Sequence, residues 1–297
     1  MATFGKFKNF TSLALALRAI WMRELLMESA VSGLYNMASS TKAAERTRGL
    51  GKLGLVSEFK GTLETVEPEE GELKTFTHKA YADQIPIEMD LIKDEEYNVV
   101  NQMLSEHAMS YDRTVVYHMS APFNNAFASS GLGAGAADGR ALCSTGRNGG
   151  KAVLNNKGTS ALTHDNVTAT RELMRQFKNP QGLVLRVLPD TLVVPVGLEA
   201  EADEIVNSVN RSDNANNATN TNRNMGYIVD PLLDDQNNWF MVDSRLSKKH
   251  LWWFWRERPG FVVHPASEYD LVLRTRGYMR YAFGPDDFTW IYGHEVA

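Results

Sequence analysis

The chain has 297 residues, 43 % of them hydrophobic, and a formal net charge of −5, enough to bury a sizeable core as one large domain or two modest ones. Its longest apolar runs, Leu13 to Leu17 and Leu251 to Trp255, fall far below the roughly 20 residues of a membrane-spanning helix, and its one cysteine, Cys143, excludes an intramolecular disulfide and a cysteine-rich metal site. The charge is uneven: residues 1–60 carry nine Lys/Arg against four Asp/Glu and residues 61–112 three against thirteen, which suggests head-to-tail contacts between copies or a basic face turned toward nucleic acid.

Lys6 and Lys8 ahead of Leu13 to Leu17 mimic a secretory signal, but Arg18 interrupts the apolar run and no small-x-small cleavage site follows. The spacing of Leu13, Ala16, Leu17, Ile20 and Met27 instead predicts a helix near Leu13 to Ser29. Nothing local supplies a core for it, so residues 1–50 read as an arm ending at a joint rich in glycine (Gly49, Gly51, Gly54). A charged β-hairpin follows. Leu55, Phe59 and Leu63 mark its first arm, residues 67–72 its turn, and Ile85, Ile87, Met89 and Leu91 its return at period two. Each arm would reach roughly 40 Å, and a two-stranded ribbon is marginal alone in water. Its apolar stripe therefore needs an outside cover.

Asp94, Glu95 and Glu96 open a long helix where the macrodipole favours negative charge, and Pro122 bounds its far end. Tyr97, Val100, Leu104, Ala108, Tyr111, Val115 and Met119 recur at three or four along one face, and the span to Ala121 is about 42 Å. Residues 131–139, rich in glycine, read as a surface loop, and a second helix runs from about Asp165 to Lys178 with Val167, Thr170, Met174 and Phe177 on its buried face. Leu183 to Val196 reads as buried strand broken by two prolines, Glu199 to Ser208 as a short helix, and residues 207–224, with eight asparagines, as an exposed loop that buries nothing. Met225 to Val229, Trp239 to Asp243, Leu251 to Trp255, Leu271 to Leu273 and Tyr278 to Phe283 read as aromatic-rich strands.

Catalytic chemistry finds no foothold. Gly146 to Lys151 imitates a phosphate loop but fails on spacing, with Thr145 where the first glycine belongs and Ala152 where a Mg²⁺-binding hydroxyl is needed. The seven histidines show no ligand spacing, Cys143 is as readily a small buried hydrophobe as a nucleophile, and Glu67, Glu69, Glu70 and Glu72 sit at a hairpin tip where nothing would raise a pKa. No metal or cofactor site and no enzymatic activity are expected. The Asn-x-Ser/Thr triplets at Asn9, Asn166, Asn210 and Asn217 read as chance matches. The run Leu251 to Trp255 could stack on nucleic-acid bases, although aromatic payload of that size more often fills a core or an interface.

Several stretches, in order, resemble the major capsid protein of tailed bacteriophages, in particular the Mu-like major head subunit family with the Hong Kong-97 type fold. They are Glu58 to Gly61, Ile85 to Asp94 leading into the long helix, Asp138 to Ser144, Asn156 to Leu162, Pro189 to Pro195, Ile228 to Pro231, Arg280 to Gly284 and Trp290 to Gly293. The resemblance implies an α+β fold with an N-terminal arm (1–50), an extended β-hairpin loop (51–93), a peripheral domain with a spine helix (94–184), a mixed-sheet axial domain (185–262) and C-terminal strands completing the core (263–297). It also implies a shell subunit that assembles with itself into pentamers and hexamers around packaged double-stranded DNA, in a virion built in the bacterial cytoplasm. Partners would be a separate scaffolding protein, a portal and a decoration protein, with no membrane. The candidate subunit-interface residues are Leu13, Leu17, Ile20 and Trp21 on the arm and Phe59, Leu63, Glu67, Glu69, Glu70, Glu72 and Phe76 on the ribbon. Lys6, Lys8, Arg18, Arg46 and Arg48 are the candidate DNA-facing residues. A nanocompartment shell of the same fold, holding enzyme cargo in place of DNA, is the alternative.

Overall fold

Aromatic, period-two strands and one long amphipathic helix can satisfy each other only face to face, and that pairing organises the molecule. In a computed structural model, residues 10–50, 56, 58–59, 61, 70–94, 96–149, 152–179, 182–211, 218–265 and 271–297 are described. The first half runs α1 (Phe10–Arg23), β1 (Asn36–Ser39), β2 (Ala44–Leu50), β3 (Glu70–Thr77), β4 (Lys79–Glu88), α2 (Met89–Lys93), α3 (Tyr97–Asn124), β5 (Arg147–Gly149), β6 (Ala152–Leu154) and β7 (Lys157–Gly158). The second runs α4 (His164–Arg175), β8 (Thr191–Val194), α5 (Glu199–Asn207), β9 (Gly226–Val229), β10 (Trp239–Val242), α6 (Ser244–His250), β11 (Leu251–His264), β12 (Val272–Pro285) and β13 (Ile291–His294).

A four-stranded sheet in the order β1-β11-β12-β4 receives α3 on one face. The expected stripe of α3 is buried from Val100 to Met119, and the 28-residue helix is about 42 Å long. It begins at Tyr97, with Glu96 as its N-cap, and it passes Pro122 by two residues to end at Asn124. Pro122 cannot donate to the His118 carbonyl and its ring crowds that carbonyl, so its cost falls on the last full turn, and the helix ends two residues later. Close approach of helix and sheet requires Gly277, where any Cβ would collide with the Tyr111 ring. The Tyr111 hydroxyl then donates to Asp83 on β4 at 2.5 Å, and His107 Nε2 contacts the same carboxylate at 2.6 Å.

The second sheet, in the order β7-β13-β10-β8-β9, packs against α4 and α5 around Trp239, Met241, Leu192, Val167 and Met174. The aromatic run divides as strand alternation requires: Trp253 and Trp255 enter the core under α3, while Trp252 and Phe254 face the other side. This pairing corrects the expected segment boundaries. β11 runs through residue 262 and pairs along its length with β12, so a division between 262 and 263 would cut one continuous antiparallel hairpin.

The ribbon also differs from expectation. Its strands are β2 and β3, paired from Ala44↔Thr77 to Leu50↔Glu70, so it begins near residue 44 and returns by residue 77. Ile85 and Ile87 belong to β4 of the four-stranded sheet, and Met89 and Leu91 to α2. Their period-two signal came from a strand with one buried face, a pattern that a sheet strand and a ribbon share. Glu70 and Glu72 accordingly lie in β3, not in a turn. The asparagine-rich segment is likewise more structural than its composition implied. Asn220 and Asn222 are buried and tie α4 to α5: Asn220 Nδ2 donates to the Ile205 and Ser208 carbonyls at 2.7 and 3.0 Å, and Asn222 Nδ2 to the His164 carbonyl at 3.2 Å.

Candidate functional site

Among the described residues, the contacts between the ribbon and the body gather at one root. Phe76 packs on Phe254, with ring centroids 5.4 Å apart, and on Ala282. Ser40 Oγ donates to Glu45 Oε1 at 2.7 Å and meets His78 Nε2 at 3.2 Å, tying together the two points where the chain enters and leaves the ribbon. Lys74 Nζ donates to the Gly135 carbonyl at 2.9 Å, across a cavity of about 180 Å³ lined by Phe76, Tyr81, Leu132, Gly133 and Phe283. Gly133 must lack a side chain because a Cβ would strike Phe283 and Pro122. Beyond this root apolar side chains stand in the open: Leu73 is 44 % exposed, Phe59 67 % and Val56 98 %.

The expected interface residues therefore separate into two groups. Phe59 and Glu72 are exposed on the ribbon, and Leu63, Glu67 and Glu69 lie outside the described residues. Phe76, by contrast, is buried against its own chain. The arm residues are corrected in the same sense. Leu13, Leu17 and Trp21 are buried in the subunit's own core, and Ile20 packs against it. Trp21 stacks on Phe261 at 5.3 Å and meets the Tyr111 edge at 5.4 Å, so the core that was missing locally comes from α3 and β11. Of the candidate DNA-facing residues, Arg18 is exposed on the outer face of α1, Arg46 and Arg48 are exposed on β2 and so belong to the ribbon, and Lys6 and Lys8 lie outside the described residues.

The reactive groups are locked into structure. Cys143 is fully buried, and burial pushes its thiol up to about 12, which suppresses the thiolate that nucleophilic chemistry requires. Arg147, inside the phosphate-loop mimic, is buried on the Phe288 ring with its guanidinium carbon 3.9 Å from the centroid. It donates to Asp138 Oδ2 at 2.7 Å and to the Ala141 and Leu142 carbonyls. His294 stacks on Trp239 at 4.1 Å, accepts from the Ser160 amide at its Nδ1 and meets Thr170 Oγ1 through Nε2. Burial pulls His294 down to about 4, and burial with nearby Lys79 does the same for His118. No group of three or more His, Cys, Asp or Glu with a geometry fit for a metal ion occurs among the described residues.

Sequence reasoning missed the Ser40–His78–Glu45 clamp, because no local pattern links positions so far apart. It also missed a basic row on β12, where Arg274, Arg276 and Arg280 alternate with buried Leu273, Thr275 and Met279. That row carried a period-two signal and could have been read.

The model of the phage capsid protein family matches residues 72–293. No curated protein matches the sequence. Among solved structures, the capsid of an empty GTA particle is similar over 91 % of this chain and 90 % of that one, at 14 % identity and a TM-score of 0.56. A chain from Microbacterium phage Oxtober96 is similar over 91 % of each, at 12 % identity and a TM-score of 0.55. A virus-like particle from Pyrococcus furiosus is similar over 95 % of this chain and 99 % of that one, at 9 % identity and a TM-score of 0.52.

Proposed function

Since the chain belongs to the phage capsid protein family and has the α+β Hong Kong-97 type fold, we propose that it is the major head subunit of a tailed phage, closing with itself into an icosahedral shell of pentamers and hexamers around double-stranded DNA. The observation that carries this reading is the ribbon. Phe76 fixes its root, while Phe59 and Val56, between β2 and β3, are exposed. A two-stranded ribbon is marginal on its own in water, and exposed aromatic and aliphatic side chains on it gain by being buried against a neighbour. A subunit held at several surfaces at once gains avidity, because later contacts form at high effective concentration. Catalysis has no part in this role.

The finer assignment, to the Mu-like head subunits, rests on the sequence stretches from Glu58 to Gly293 named above. Scaffolding, portal and decoration proteins complete the proposed set of partners, with assembly in the bacterial cytoplasm and loose contacts to DNA inside the shell. The likeness to the Pyrococcus furiosus particle supports a second reading, a nanocompartment shell with protein cargo. Expression of the chain with its neighbouring genes, followed by electron microscopy and nuclease treatment, separates the two. Closed shells holding protected DNA are expected. Shells filled with an enzyme establish the second reading, and a monomer of 33.2 kDa that never assembles at high concentration rejects both.

A further inference from the structure

The cavity at the ribbon root draws its walls from two parts of the chain. Lys74 and Phe76 of β3, Lys79 and Tyr81 of β4, and Gly133 and Phe283 line a space of about 180 Å³. A dry void of that order takes up a molecule the size of benzene when its walls are apolar, but here two lysines stand among the rings. Lys74 is partly buried, and loss of solvent lowers its pKa against the opposing pull of Asp138 and Asp286. Both carboxylates are committed elsewhere: Asp138 Oδ2 accepts from Arg147 at 2.7 Å, and Asp286 accepts from Trp252 Nε1 at 2.8 Å and meets His250 Nδ1 at 2.9 Å. Lys74 Nζ is left with two carbonyls, Gly135 at 2.9 Å and Ala134 at 3.5 Å. Among the described residues, no carboxylate lies within ion-pair distance of Lys74 or Lys79. Lys79, itself exposed, adds to the positive field, since its charge joins burial in pulling His118 down to about 4. A partly desolvated cation with no counter-ion is costly, and an arriving anion offsets that cost through charge-assisted hydrogen bonds.

We propose that this cavity is a binding site for a small oxyanion, with inorganic phosphate as its simplest form, held between Lys74 of the ribbon and Lys79 of the body. An anion with more than one charge gains from both ammonium groups, which bind phosphate as point charges, and Tyr81 adds a hydroxyl to the lining. The site also has a mechanical consequence. β3 ends at Thr77 and β4 begins at Lys79, so His78 alone joins the ribbon strand to the sheet strand. An anion bridging Lys74 and Lys79 spans that joint and stiffens the root. The site belongs to the single chain and does not depend on the shell reading.

The test is inorganic phosphate titrated into the purified full chain at constant ionic strength, with chloride as the control, read by calorimetry and by amide hydrogen exchange. Phosphate should bind saturably, one per chain, with a Kd of about 1 mM or tighter, and should slow exchange around Lys74 to Lys79, whereas chloride does neither. Lys74→Met with Lys79→Met should weaken binding by about tenfold or more and erase the exchange effect without lowering the melting temperature in chloride. Lys248→Met, on α6, should change neither readout. No saturation by about 20 mM phosphate, equal effects from chloride, or undiminished binding in the double variant overturns the proposal. If the double variant does not fold, the wild-type exchange pattern decides, and protection that is absent from the ribbon root overturns it. A single-stranded oligonucleotide that protects the root where free phosphate does not would also overturn it, assigning the lysines to a nucleic-acid backbone.

Discussion

The α3-sheet region and the ribbon both carry large apolar side chains, and those side chains reach opposite outcomes. In the first, Tyr111, Trp21, Trp253 and Tyr281 each have ring contacts within the chain, Tyr111 also hydrogen-bonds Asp83, and a glycine at 277 exists only to let the helix come close. In the second, Phe76 is buried at the root, while Phe59, between β2 and β3, is 67 % exposed. The ribbon is the more charged of the two, but what decides the fate of each apolar ring is whether its own chain supplies a partner. Assembly chemistry lies where apolar residues are kept away from the chain's own core, and four measurements test that contrast.

The largest effect is expected from replacing residues 51–69 with a short Gly/Ser turn between β2 and β3. Shells should vanish, because this segment holds the exposed Val56 and Phe59, while the subunit's melting temperature shifts by no more than a few degrees, measured by scanning calorimetry. A large loss of subunit stability would mean that the ribbon folds onto its own body. Next in size is Trp21→Ala. With Trp21 buried against Phe261 and Tyr111, truncation should cost the isolated subunit about 3–5 kcal/mol in urea unfolding. A neutral result would return α1 to the role of an arm buried only by a neighbour.

Acid gives the third effect, and it falls on the body. The folded subunit holds His118 and His294 neutral, each pulled down to about 4 by burial, whereas in the unfolded chain they titrate near 6.5. A depressed histidine leaves stability intact above about pH 6.5 and removes it progressively down to about pH 4, because the unfolded state binds the proton first. Each histidine is expected to contribute a loss on the order of 3 kcal/mol across that window. Urea midpoints between pH 7 and pH 4 should show the decline, and His294→Gln should flatten part of it. An unchanged slope in that variant would mean that His294 is protonated at no cost in the fold.

Much of this molecule could be read from one sequence, and the parts that could not share a cause. The spine helix was legible because Val100, Leu104, Ala108, Tyr111, Val115 and Met119 repeat at helical spacing over more than five turns, a signal that tertiary context had no reason to override. The division of Trp253 and Trp255 from Trp252 and Phe254 followed from strand alternation alone. The ribbon register was not legible, because Ile85 and Ile87 give the same period two whether their strand pairs with residues 44–50 or with β12, nearly 190 positions later. The cover of α1 was hidden for the same reason: Trp21 meets α3 and β11, and no local window contains both. The asparagines divided by partner rather than by composition. Asn220 and Asn222 became buried ties because the His164 and Ile205 backbone stood within reach.

The smallest expected effect brings the comparison down to one residue type on one ribbon. Phe76→Ala removes a ring buried on Phe254 and Ala282, so it should destabilise the subunit by about 3 kcal/mol and loosen the ribbon root. Phe59→Ala removes a ring that is already 67 % exposed, so in the isolated subunit its cost should stay within about 0.5 kcal/mol. Shell yield should reverse that order per unit of subunit stability lost, since only Phe59 is free to be buried by another copy. Paired urea melts and sedimentation of the two variants measure both quantities, and equal stability losses would mean that the ribbon tip and root are not the distinct environments on which the assembly argument depends.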